Sequence, residues 1–130
     1  MIANRGRDTT PELVLRKLLW GLGARGYRTN LRVEGVRPDI VFPRRRLAVF
    51  VHGCFWHRCA LCALPLPTSN REFWAAKFRR NRQRDKEKRR NLEICGWKVV
   101  EVWSHELDTD PETVARRVAR ILLSRPYQSR

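Results

Sequence analysis

Between His52 and Cys62 the chain gathers three of its four cysteines and two of its three histidines into eleven residues, with Phe55 and Trp56 among them. Thiolates and imidazoles at this density suit a tetrahedral metal site. Such a segment has little conformational choice. Its donors must converge on one ion, and any missing donor must be brought to it. Residues 1–7 lack the apolar core of a signal peptide, so the chain is expected to be cytoplasmic and reduced. In that compartment Cys59-x-x-Cys62 with Cys54 nearby reads as a thiolate metal site rather than a disulfide framework. A fourth ligand has three candidates. His57 would close the site locally, His105 would come from a distant element, and Cys95 is the third. A distant ligand closes a longer loop and removes more freedom from the unfolded chain. Spacing leaves the choice open, although Cys95, beside Ile94 at a helix end, reads better as a packed apolar residue.

Charge narrows the partner. The 130 residues carry 28 Lys and Arg against 13 Asp and Glu, a net charge of +15. A field this strong on one small domain points to nucleic acid. An acidic membrane surface fits less well, because no apolar run is long enough to anchor or span a bilayer. Much of the charge lies between Lys77 and Arg90, where nine cations face only Asp85 and Glu87. A helix there cannot be basic on one face alone and suits phosphate contacts, which position a protein without reading sequence.

The remaining elements follow from periodicity and punctuation. Thr9-Thr10-Pro11-Glu12 opens a helix with a capping-box pattern, and Val14, Leu15, Leu18, Leu19 and Leu22 continue it until Gly23 and Gly26. Strands are expected over residues 27–33, 37–42 and 47–52, the last apolar enough for the centre of a sheet. Ser69-Asn70-Arg71-Glu72 reads as a second capping box, opening a long basic helix that runs to about Ile94 and stops at Gly96. A strand over residues 97–103 follows. Asp110-Pro111-Glu112 then opens a last helix with Val114, Val118, Ile121 and Leu122 inward. The order α, β, β, β, α, β, α implies a layered α/β domain with a mixed sheet.

Two acids stand out. Asp39 lies in the apolar stretch Arg37-Pro38-Asp39-Ile40-Val41-Phe42, where an unpaired carboxylate is costly. It needs a cation, either an arginine or a metal, and a hairpin to the next strand would bring His52 near it. Mg²⁺ bound by a carboxylate, a backbone carbonyl and phosphate oxygens fits that arrangement and would stabilise charge on a phosphodiester. Glu12 is explained equally well by its capping-box position. Phe55 and Trp56, joined by Trp74, are candidates for wedging between base steps, with burial in the core as the alternative.

Together these residues resemble the very short patch repair (Vsr) DNA mismatch endonucleases. The resemblance runs from Met1 to about Leu107. It is carried by Arg7-Asp8-Thr9 with Glu12, Arg37-Pro38-Asp39, the run from Phe50 to His57, Glu72-Phe73-Trp74, Asn81 with Arg84-Asp85, and Gly96-Trp97 leading to Val102-Trp103. It implies a restriction-endonuclease-like fold in one domain over residues 1–130, with 1–8 a short N-terminal arm and 108–130 a C-terminal helix. It also implies Mg²⁺-dependent nicking of one strand 5′ to the thymine of a T·G mismatch left by deamination of 5-methylcytosine. By resemblance, Asp39 and the carbonyl of Val51 would hold Mg²⁺, and Glu12 would orient a metal-bound water. His57 would serve as general base, with His52 assisting at the phosphate. Phe55, Trp56 and Trp74 would form the wedge, and Lys77, Asn81 and Arg84 would touch the duplex. Structural Zn²⁺ would take Cys54, Cys59, Cys62 and His105. The implied partner is mismatched double-stranded DNA, met by a monomer on the nucleoid with other repair proteins. Family members often carry His where Cys59 stands, Cys where His105 stands and Thr where Val51 stands. A non-cleaving zinc-stabilised DNA-binding module and a less selective nuclease are the competing readings.

Overall fold

Leu47-Ala48-Val49-Phe50-Val51 offers no polar face to water, and it forms most of the central strand of the protein. The computed structural model describes residues 10–54, 57–59 and 61–124. Strand β2 (Leu47–His52) pairs antiparallel with β1 (Ile40–Phe42) across a 3-10 turn at Pro43–Arg45. On its other edge it pairs parallel with β3 (Lys98–Trp103), in a register that sets Phe50 beside Glu101 and His52 beside Trp103. A parallel neighbour cannot be reached by a hairpin. The crossover is supplied by the Cys/His loop and the long helix α2 (Arg71–Ile94).

Alternation along the strands sorts the two faces of the sheet. Ile40, Phe42, Leu47, Val49, Val100 and Val102 pack with Leu15 and Leu19 of α1 (Thr10–Gly21) and Leu107 of α3 (Ser104–Thr109). Val114, Val118 and Leu122 of α4 (Pro111–Leu123) complete that core. Val41, Ala48 and Phe50 point the other way and pack with Leu92 of α2 and with Trp97. Each large apolar side chain buried in these layers contributes roughly 1.5–3 kcal/mol. His52 falls on the same face as Ala48 and Phe50, beneath α2. The architecture is the expected mixed sheet flanked by helices.

Four local expectations need correction. Residues 27–33 form no ladder among the described residues. Arg28 bridges Val41, and Val33 bridges Val36 around the turn at Glu34-Gly35. Side chains hold the segment instead: Tyr27 packs edge-on against Phe42, and Leu31 and Val33 lean on the second core. The strand expected over 37–42 begins only at Ile40. Pro38 has no N–H to give, and the Asp39 side chain, rather than a backbone carbonyl, takes the Val51 N–H at 2.7 Å. Helix α2 does not use Ser69 as a cap. Its N-cap is Asn70, in the left-handed region (φ 56°), and no side chain caps it. Asn tolerates that conformation better than most residues. Cys95 is exposed at the end of α2 rather than packed.

The cap of α4 is as expected. Asp110 accepts from the Thr113 N–H at 3.3 Å and its hydroxyl at 2.6 Å, with Pro111 in the first turn. The short α3 was not foreseen. It starts where Glu106 turns back to accept the Trp103 N–H at 2.9 Å.

Candidate functional site

The parallel register of β2 and β3 decides which residues meet beyond the strand ends. The chain leaves β2 at His52 and β3 at Trp103, which are register partners, so Cys54 and the start of α3 become neighbours. The Cys54 N–H donates to Ser104 Oγ at 3.1 Å, and the Ser104 hydroxyl approaches Cys54 Sγ at 3.3 Å. The loop turns by backbone bonds from His57 N–H to Gly53 O (3.0 Å), Cys59 N–H to Cys54 O (2.9 Å) and Ala63 N–H to Cys59 O (2.9 Å). His105 Nδ1 then lies 3.2 Å from Cys54 Sγ and 3.6 Å from Cys59 Sγ. The donor atoms of Cys54, Cys59, Cys62 and His105 all fall within 4.8 Å of one another.

Three thiols this close cannot all ionise unless a cation sits among them. Burial and the neighbouring Cys54 and Cys59 sulfurs push Cys62 up to about 11. Burial also opposes ionisation of Cys59, but the N–H groups of Cys62 and Leu61 outweigh it and hold that thiol below its ordinary value. Three sulfurs and one imidazole nitrogen form a donor set that fits a tetrahedral thiolate-liganded metal ion. Of the candidates for the fourth donor, His105 is the one brought to the cysteines.

His57 turns the other way. Its Nδ1 lies 2.6 Å from Asp85 Oδ2, reached from α2, and His52, His57 and Asp85 make a second group of donors within 4.8 Å. An ionised carboxylate only accepts, so Nδ1 carries the proton and Nε2 is the basic nitrogen. Burial works against the charge on Asp85, but the His57 hydrogen bond and charge prevail and hold it below the usual aspartate range. The His52 ring is almost fully buried, 4.3 Å from the His57 ring and 4.9 Å from that of Trp103. Its Nε2 lies 3.4 Å from Glu101 Oε2.

Asp39 sits at the entrance to β1, its Oδ2 taken by the Val51 N–H. Burial raises its pKa, only partly offset by the Val51 bond and the nearby charges of His52, His57 and Lys88. Among the described residues no arginine pairs with it. A desolvated carboxylate short of positive charge fits a hard divalent cation, with Val51 beside it. Glu12 is buried on α1 and belongs to neither donor group.

Trp74, on the first turn of α2, is half-buried and stacks on the buried Phe78 at 5.5 Å, so part of it serves the core. Phe55 and Trp56 lie outside the described residues. Lys77, Asn81 and Arg84 recur at helical spacing, and Arg84 donates to Asn81 Oδ1. Asp85 follows on the neighbouring face. Its role at His57 was missed in the sequence, although it is one of only two acids among nine cations. Glu101 and Arg89, linked at 3.0 Å, were missed altogether. No helix among the described residues is long and apolar enough to cross a membrane.

Comparison with known proteins agrees with this geometry. The family described as DNA mismatch endonuclease Vsr matches residues 1–62, a stretch that holds Asp39, both histidines of the second group and the three cysteines. The type II nicking enzyme V.NaeI of Lentzea aerocolonigenes is 44% identical over 111 residues, 82% of this chain and 66% of that protein. The chain thus spans just under two thirds of that relative. The type II nicking enzyme V.XorIIP of Xanthomonas oryzae pv. oryzae is 42% identical, over 91% of this chain and 85% of its own length. The DNA mismatch endonuclease Vsr of Escherichia coli is 37% identical, over 75% of this chain and 62% of its own. Among solved structures, the catalytic domain of the homing endonuclease I-Bth0305I superposes with a TM-score of 0.61 at 22% identity. That match covers 90% of this chain and 100% of that one, and it bears out the restriction-endonuclease-like fold.

Proposed function

The chain belongs to the Vsr family of DNA endonucleases, and we propose that it nicks one strand of duplex DNA 5′ to the thymine of a T·G mismatch, using Mg²⁺. The observation that carries this reading is the division of the two histidine-containing groups. His105 completes the thiolate set, which leaves His57 paired with Asp85 and close to His52 and Asp39. A purely structural metal knuckle has no use for the second group.

Asp39 and the carbonyl of Val51 are the residues that would hold Mg²⁺. That ion supplies positive charge against the charge that develops on the phosphate. The Nε2 of His57 takes a proton from the attacking water, while Asp85 keeps Nδ1 protonated and stabilises the imidazolium that results. His52 donates to a phosphate oxygen. Glu12 helps orient the water. Cys54, Cys59, Cys62 and His105 hold Zn²⁺, which fixes the loop carrying His57. Phe55, Trp56 and Trp74 lie beside the mismatch, and Lys77, Asn81 and Arg84 hold the backbone. The enzyme works as a monomer on chromosomal DNA in the cytoplasm, beside other repair proteins.

Labelled duplexes with a T·G pair, other mismatches or none, each in several flanking sequences, test this reading with Mg²⁺ present or withheld. Cutting confined to the T·G strand and to Mg²⁺ is the expected result. Equal cutting of all duplexes would assign a less selective nuclease, and binding without any cut would assign a DNA-binding module.

A further inference from the structure

Glu101 is a carboxylate on the sheet face that also carries Phe50 and His52, half-buried beneath α2. A charge in such a place is costly unless both its oxygens are used. Both are. Oε1 accepts from Arg89 at 3.0 Å, and Oε2 lies 3.4 Å from His52 Nε2. Arg89 is itself steadied by Glu93, 3.0 Å away and one turn further along α2. A partly exposed ion pair contributes little to stability on its own, so docking of the helix is a weak reason for this chain of contacts.

The two imidazoles are gripped at opposite nitrogens. Asp85 holds His57 by Nδ1, and Glu101 meets His52 at Nε2. Asp85 and Arg89 are four residues apart and therefore share one face of α2. We propose that Glu101, clamped by Arg89, is a positioning residue for His52. It fixes the Nε2–H tautomer, so that His52 turns Nδ1 to the phosphate while His57 turns Nε2 to the water. One helix face thus sets both groups, directly for His57 and through Glu101 for His52. The proposal rests on the role given to His52 above.

The zinc- and magnesium-loaded protein allows two separate readouts. Long-range ¹H–¹⁵N imidazole spectra report the His52 tautomer without any DNA. Single-turnover nicking of a T·G duplex, beside DNA affinity, reports the consequence. Glu101→Ala should scramble the His52 tautomer and slow nicking by about 10- to 100-fold, the usual cost of losing a partner that orients an imidazole. DNA affinity should hardly move. The double variant Glu101→Gln with Arg89→Gln keeps an oxygen for His52 in a neutral amide pair. It should recover most of the rate, and it serves as the test where the alanine variant loses zinc or fold. An unchanged His52 spectrum in Glu101→Ala, or a rate within about twofold of the unaltered protein, overturns the proposal. So does slow nicking by Arg89→Ala with the His52 tautomer intact, which would make the pair a docking contact only. If the unaltered protein cuts no duplex, the functional reading fails, while the spectra still decide whether Glu101 holds His52.

Discussion

Two donor groups lie side by side in this protein, and they are built on opposite plans. Cys54, Cys59, Cys62 and His105 turn inward on one another, with their backbone bonds spent on closing the loop. His52, His57 and Asp85 are strung between a strand, a loop and a helix, and each imidazole has one nitrogen engaged and one left over. The first arrangement suits an ion that stays in place. The second suits protons that come and go. Histidines five positions from one another can serve the second group because a histidine from far along the chain completes the first.

The sharpest way to break this contrast is to take the metal away. Removing the ion by chelation under denaturing conditions, or by Cys59→Ser, should abolish nicking, since the loop that carries His57 loses its frame. Metal content by emission spectroscopy and the melting curve should fall together. Less complete, but still large, is His57→Ala. Nicking should drop by roughly 100- to 10,000-fold, the range of a general base, with metal content unchanged. Loss of metal in that variant would move His57 into the first group and dissolve the distinction. Asp39→Ala should slow nicking by roughly 100- to 1,000-fold, as when a charge-stabilising group is removed. Persistent nicking there would strip Asp39 of its role.

A finer probe is the pH dependence of Mg²⁺ binding, followed by calorimetry rather than by rate. Protons and Mg²⁺ compete for the Asp39 carboxylate, and burial raises its pKa above 3.8. Affinity should therefore fall on acidification at a higher pH than an ordinary aspartate would give. Affinity that stays flat down to pH 3.8 would place the ion elsewhere. Smallest of all is Cys95→Ser. The fourth cysteine is exposed and outside both groups, so stability should stay within about 0.5 kcal/mol and metal content should not change.

The first group was nearly legible in the sequence because three of its members share one short segment. What spacing could not supply was the fourth donor. That choice depends on strand register, and the parallel pairing of His52 with Trp103 is a long-range fact that no local pattern encodes. The second group was legible only in part. Asp39 announced itself as an acid among apolar residues. Asp85 did not, because in a run of cations it looks like ordinary surface relief, and its importance depends on which face of α2 lies over the sheet. Glu101 was hidden in the same way, as one polar residue in an apolar strand. The misread segment at 27–33 shows the converse error. Its apolar residues do anchor, but by side-chain packing rather than by a ladder, and periodicity cannot separate the two.

The separation of Cys54 from His105, 51 positions along the chain, also orders events during synthesis. The cysteines leave the ribosome first and wait as an incomplete set until the basic helix and the last strand have followed. A cutting enzyme assembled on this plan cannot be armed as a fragment. A truncated or stalled nascent chain holds the thiols without their histidine, so the genome is exposed to the nuclease only once translation is nearly finished.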